Sequence, residues 1–195
     1  MFAVLALHWQ VNVIKPAGFF GGMLAGPVRE SGVVARAAAF HTDAERAGAP
    51  VFYTRFTVPD GEGQLVRNTA FMTAVAQAQE SFRPDAPGAQ LIGEMPGERV
   101  FDNQKLSGLA GNDLFETLTK HGVDTVFVTG VATNLTVEQT ARHGTDLGLR
   151  VHPVSDCVTA ATPEIHQASL ANLELATAGC VTAEEALALI GGRER

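Results

Sequence analysis

The sequence predicts an α/β fold: one domain over residues 1–195, three layers (α/β/α), with a mainly parallel sheet of five or six strands. Three observations carry this. Short β-branched and apolar runs, such as Asp124-Thr-Val-Phe-Val-Thr129, alternate with stretches of helical periodicity along the whole chain, the pattern of a parallel sheet covered on both faces. Glycine or proline punctuates most junctions. The 195 residues, 46% of them hydrophobic, suffice for one substantial core, and no repeat, low-complexity tract or linker divides them.

In order, Phe2 to Leu7 is a buried strand followed by His8-Trp9-Gln10. Residues 11–28, rich in Gly and Pro and carrying Phe19-Phe20, read as a loop. A helix is expected from about Ser31 to Ala47, with Val33, Ala37, Phe40 and Ala44 on one face and Gly48 and Pro50 as its stop. Val51 to Phe56 is the second strand. Segment 57–98 is the least legible, with a Gly-rich turn at 60–63, a helix around Asn68 to Ser81, and proline-bearing loops. Arg99-Val100-Phe101 is a short third strand. A helix starts at Asn112-Asp113, with capping-box spacing between Asp113 and Glu116.

The stretch from Gly122 to Gly148 is the most informative. Its strand ends at Gly130. Thr133 or Asn134 can cap the next helix, with Glu138 in the first turn. Thr136 therefore falls in the first turn after a strand, where free backbone N–H groups favour a nucleophile or an anion. Leu149 to Val154 is a further strand. Thr162-Pro163 opens a helix with a cap and a first-turn proline. Cys180-Val181 is a last short strand and Glu184 to Ile190 a closing helix.

Composition narrows the function. The net charge of −7 opposes nucleic-acid binding and offers no basic patch for a membrane surface. No apolar run approaches the roughly 20 residues that span a bilayer. The apolar start MFAVLALHWQ lacks a basic n-region and a cleavage site, so it reads as a strand and not a signal peptide. Cys157 and Cys180 are too few for a disulfide framework and fit a reducing, cytoplasmic setting.

Ligands of open α/β sheets bind outside the carboxyl ends of the strands. Three places qualify: His8, the region Asp102 to Lys105, and Thr136. No phosphate-binding glycine fingerprint follows the first strand, which argues against a nucleotide. The six histidines show no ligand spacing and the cysteines are unpaired, so no metal and no cofactor is expected. Trp9 and Phe19, with Phe20, stand where they can wall a small, partly apolar pocket, although core packing or a subunit contact serves an aromatic residue equally well.

These residues resemble the isochorismatase-like family, the cysteine-hydrolase group that includes nicotinamidases and N-carbamoylsarcosine amidohydrolases. AVLALHWQVNVI is similar to its opening strand, usually an apolar run followed by D-x-Q-x-D. FDNQKLSGLAGNDLFETL resembles its K-x-x-x-S-[AG]-F-x-G-T-x-L segment, and VTGVATNLTVEQTARHGTDLGLRVHPVSDC closely follows V-T-G-V-A-T-N-x-C-V-E-x-T-A-R. The resemblance covers nearly the whole chain. It implies a small-molecule substrate, a homo-oligomer, and a non-proline cis peptide within Gly130-Val131-Ala132 whose backbone N–H groups face a substrate carbonyl. It also implies an Asp, a Lys and a Cys at three positions occupied here by His8, Asn103 and Thr136. Lys105, two residues on, is a second-choice lysine if the strand continues that far. The family's metal-binding histidines have no counterpart after Tyr53-Thr54-Arg55.

Three functions stay open on this sequence. His8, Asn103 and Thr136 are a candidate base, orienter and nucleophile for amide-type C–N hydrolysis, with Trp9, Phe19, Val131 and Ala132 contacting substrate. The chain is alternatively a pseudoenzyme that binds a small molecule or serves as a scaffold subunit. A third reading is vinyl-ether hydrolysis, as on isochorismate, with protonated His8 as the acid.

Overall fold

A computed structural model describes residues 1–192. Five parallel strands, β1 (Phe2–Leu7), β2 (Val51–Phe56), β3 (Val100–Asn103), β4 (Thr125–Val131) and β5 (Arg150–Thr159), form one sheet in the order β3-β2-β1-β4-β5. The expected last strand at Cys180-Val181 is only a parallel bridge between Val154 and Val181. Alternation splits each central strand between two cores. Ala3, Leu5 and Leu7 of β1 join Val126 and Val128 of β4 on one face. Val4 and Ala6 join Phe127 and Val131 on the other.

Helices cover both faces. The described residues hold α1 (Val11–Ile14), α2 (Gly21–Ser31), α3 (Val33–Arg46), α4 (Ala70–Gln77), α5 (Leu114–Lys120), α6 (Glu138–Asp146), α7 (Pro163–Ala176) and α8 (Ala183–Gly191). The strongest local signals act as read. Thr162 Oγ1 accepts from the Ile165 N–H at 3.3 Å with Pro163 at the first helical position, and Gly148 ends α6 at φ 92°.

Three further expectations are corrected. Residues 11–28 are not a loop: α1 and most of α2 lie there, and Pro27 sits inside α2. Burial of Leu24, Ala25 and Val28 against the sheet outweighs the weak propensity of the glycines and the lost proline N–H. A side chain at Gly21 would place its Cβ 2.4 Å from Pro16 O, so only glycine allows this close turn. The Asp113–Glu116 capping box does not form; Asn112 Oδ1 accepts from the Leu114 N–H instead, at 3.1 Å. Neither Thr133 nor Asn134 caps α6: residues Thr133–Val137 form a single π turn, and the Thr133 hydroxyl pairs with His166 Nδ1 at 2.9 Å.

This topology sets the site. Successive strands run outward from β1 to β3 on one side and from β4 to β5 on the other. The strand order therefore reverses between β1 and β4, and the crevice at their carboxyl ends is the expected ligand position.

Candidate active site

β1 ends at Leu7, and His8 follows it with φ 53°. Histidine is among the few non-glycine residues that enter this left-handed region with some frequency. The turn breaks the period-two alternation. His8 faces the crevice, while Trp9 joins the core that contains Val4 and Ala6. The His8 N–H donates to Thr54 O (3.1 Å), and Gln10 locks the same corner by accepting from the Phe56 N–H (2.7 Å) and donating to Phe56 O and Ala89 O.

β4 delivers the opposite wall. Gly130, at φ 145°, lies so close to β1 that a Cβ there would sit 2.5 Å from Leu7 O. The next peptide bond, Val131–Ala132, is cis. The π turn then brings Thr136 inward, almost wholly buried. Leu135 and Val137 both direct their N–H groups back to Ala132 O.

Between these walls lies a pocket of about 30 Å³ free volume. His8, Val131, Ala132 and Thr136 line it, together with Val13, Phe20, Leu24, Phe56, Phe71, Phe82, Leu106 and Leu135. His8 Nε2 is buried and has no hydrogen-bond partner among the described residues. Burial pushes the His8 pKa down to about 4, so the ring is neutral at pH 7. The Thr136 hydroxyl donates to Leu106 O at 2.8 Å.

The remaining sequence candidates lie elsewhere. Asn103 is fully buried and does not line the pocket. Its Nδ2 donates to Ser107 O (2.6 Å) and Ala110 O (2.8 Å), pinning the turn after β3, and its Oδ1 has no partner among the described residues. β3 ends at Asn103, so Lys105 is beyond the strand; its ammonium donates to Gln64 O and borders a separate surface groove with Ser107 and His143. Trp9 is buried in the core, where Nε1 donates to Thr129 Oγ1 at 3.3 Å. Phe19 is 40% exposed and packs edge-on against Phe20 and Phe82; it is Phe20 that faces the pocket, stacked on Phe71 at 5.3 Å. Cys157 and Cys180 lie outside the pocket. Burial, with Asp156 nearby, pushes the Cys157 thiol up to about 12, and burial with Glu174 pushes Cys180 to about 11.

Sequence reading named Phe20 as a wall of the pocket but missed Phe56, Phe71 and Phe82. Phe56 was within reach of it, since it closes β2 at the carboxyl edge of the sheet. The others come from segments whose placement no local pattern fixes. Among the described residues, no group of three or more His, Cys, Asp or Glu is placed to hold a metal ion, and no helix is long and apolar enough to cross a membrane.

Fold and pocket together define a three-layer α/β domain with a crevice at the sheet's switch point. Residues 2–185 match the sequence profile of the isochorismatase domain, and the chain belongs to that family. It is 26% identical over 185 residues to the isochorismatase family protein YecD of Escherichia coli O157:H7, covering 95% of this chain and 94% of that one. It is 35% identical over 130 residues to nicotinamidase 3 of Arabidopsis thaliana, 66% of this chain and 64% of the relative. The crystal structure of a cysteine hydrolase from Pseudomonas syringae pv. phaseolicola superposes with a TM-score of 0.84 at 21% identity, covering 98% and 92% of the two chains.

Proposed function

We propose that this member of the isochorismatase family binds a small organic molecule at the β1/β4 crevice without forming a covalent intermediate. The Asp, Lys and Cys implied by the family pattern are replaced by His8, Asn103 and Thr136. The observation that carries the reading is the hydrogen bond from Thr136 Oγ to Leu106 O. The hydroxyl proton is committed to a carbonyl, so no base draws it away, and an alcohol without such a base is a weak nucleophile. Asn103 spends both amide protons on backbone carbonyls outside the pocket. His8, neutral at pH 7, is a poor proton donor for vinyl-ether cleavage, and with a pKa of about 4 it is a weak base.

One observation favours a second reading, amide-type hydrolysis. His8 Nε2 is unpartnered, and His8 lines the same pocket as Thr136, the two side chains that a base and a nucleophile would need there. The nicotinamidase among the relatives supplies the substrate class for that reading.

A panel of small amides, ureas and esters, with isochorismate included, separates the two. Turnover is followed by product formation and binding by calorimetry, in the wild type and in Thr136→Val. Binding without turnover, retained in the variant, supports the non-covalent site. Turnover that disappears in Thr136→Val supports hydrolysis.

A further inference from the structure

We propose that the groove between the start of α4 and the outer face of α6 is a second ligand site, and that it takes a small zwitterion with an apolar side chain, an α-amino acid, its carboxylate at Lys105 and its ammonium at Asp146. The groove has a volume of about 500 Å³, the size of an ordinary small-molecule site, and shares only Leu106 with the lining of the β1/β4 crevice.

The segment after β3 and one face of α6 build the groove. Arg142, His143 and Asp146 recur at helical spacing along α6 and line it. Lys105 and Ser107 line it from the segment after β3. Ser107 Oγ and His143 Nδ1 are hydrogen-bonded at 2.9 Å, which pins that segment to the helix, and Ser107 Oγ also accepts from the Leu109 N–H at 3.2 Å. Lys105 lies two residues from Ser107, at most about 7 Å between Cα atoms. Asp146 lies three residues beyond His143, nearly one turn along α6. Met72, Leu106 and Ala110 supply the apolar surface.

Of the three charged side chains on the groove, one is neutralised. Arg142 is held by Glu138 at 2.9 Å. Among the described residues, Lys105 and Asp146 form no ion pair, with each other or with anything else. The Lys105 ammonium gives one proton to Gln64 O at 2.6 Å and keeps two. The Asp146 side chain is exposed and accepts no hydrogen bond from a described residue. The helix ends have the same polarity. Thr69, the cap of α4, is on the groove, so the end of that helix that favours an anion faces it. Asp146 is the last residue of α6, at the end that favours a cation.

An α-amino acid carries the complementary pair of charges on one carbon, and an apolar side chain covers Met72 and Leu106. A carboxylic acid without the ammonium answers Lys105 and sets its charge against Asp146. An amine without the carboxylate does the reverse.

The test titrates leucine, isocaproate, which lacks the ammonium, and isoamylamine, which lacks the carboxylate, into the full chain at pH 7.5, followed by ligand-observed NMR. The same titrations are run on Lys105→Met and Asp146→Asn, whose thermal unfolding checks that they fold. Leucine should bind about fivefold or more tightly than either analogue to the wild type. In Asp146→Asn its advantage over isocaproate should disappear while that over isoamylamine persists, and in Lys105→Met the reverse. Analogues that match leucine on the wild type, an advantage that both variants leave intact, or no saturable leucine binding up to about 20 mM overturns the proposal. The wild-type comparison stands whether or not the variants fold.

Discussion

His8 and His41 are both buried imidazoles held neutral, and they sit in opposite conditions. His41, on α3, is fully engaged: Nε2 lies 2.8 Å from Thr129 Oγ1 and Nδ1 lies 3.2 Å from the Tyr53 hydroxyl. Trp9 Nε1 donates to the same Thr129 Oγ1, so that hydroxyl joins the indole and the imidazole. The chain Trp9, Thr129, His41, Tyr53 ties the turn after β1 to β4, α3 and β2. His8 has a positive φ, an unpartnered Nε2 and a pocket in front of it. A polar group that costs free energy to bury and receives no compensation from the protein points to a partner from outside. Burial alone does not separate these two residues; partnership does.

Acid offers the largest test. Burial lowers the pKa of His8 to about 4 and of His41 to about 3, from an ordinary 6.5. The unfolded chain therefore takes up protons below about pH 6.5 while the native state does not, so stability falls as pH drops from 6.5 toward 4. Each histidine contributes about 1.4 kcal/mol per pH unit in that window, or on the order of 3 kcal/mol by pH 4. Urea unfolding at pH 7, 6, 5 and 4.5 measures the slope. It should shrink by about one histidine's share in His8→Asn; an unchanged slope would mean that His8 does not stay neutral in the folded chain.

The next effect separates the two histidines by their partners. Thr129→Val strips both Trp9 Nε1 and His41 Nε2 of a partner inside the core, and should cost about 2–3 kcal/mol of stability. Ligand binding at pH 7, measured where the variant is folded, should stay within about twofold of the wild type. Smaller still is Thr136→Val, which leaves Leu106 O without its donor and should cost about 1 kcal/mol. At the bottom is His8→Asn. It removes no hydrogen bond within the protein, and asparagine tolerates the left-handed backbone, so a stability loss below about 1 kcal/mol is expected at pH 7. Binding of a neutral probe should nonetheless weaken by roughly tenfold. Equal damage to stability and binding at both histidines would erase the contrast.

β1, β2 and the Thr162 cap were legible because their signals are local, whereas the caps read at Asp113 and at Thr133 or Asn134 do not form. The β-branched runs place β1 and β2, and Thr162-Pro163 places the start of α7. His8 and Thr136 could be named in advance because each follows a strand that was itself readable. Trp9 and Phe19 show where that reasoning stops. Trp9 reaches the core because His8 turns left-handed and reverses the alternation, and no pattern in the neighbouring residues announces that turn. Phe19 and Phe20 are adjacent and alike in composition. Only the packing of Phe20 on Phe71, and of both rings on Phe82, turns one toward the pocket and leaves the other part-exposed.

By itself the sequence determined an alternation of strands and helices around a parallel sheet and the residue types standing after β1 and β4, because short-range sterics and hydrophobic period govern both; α1, α2 and the strand order β3-β2-β1-β4-β5 escaped it. Tertiary structure decided the rest. It gave the Thr136 proton to Leu106, a residue thirty positions away in the chain, turned Asn103 onto the 107–110 turn, and left His8 without a partner. Those outcomes depend on which distant groups arrive within about 3 Å of one another, and hydrogen bonds of that reach are set by packing, which neighbours in sequence do not encode.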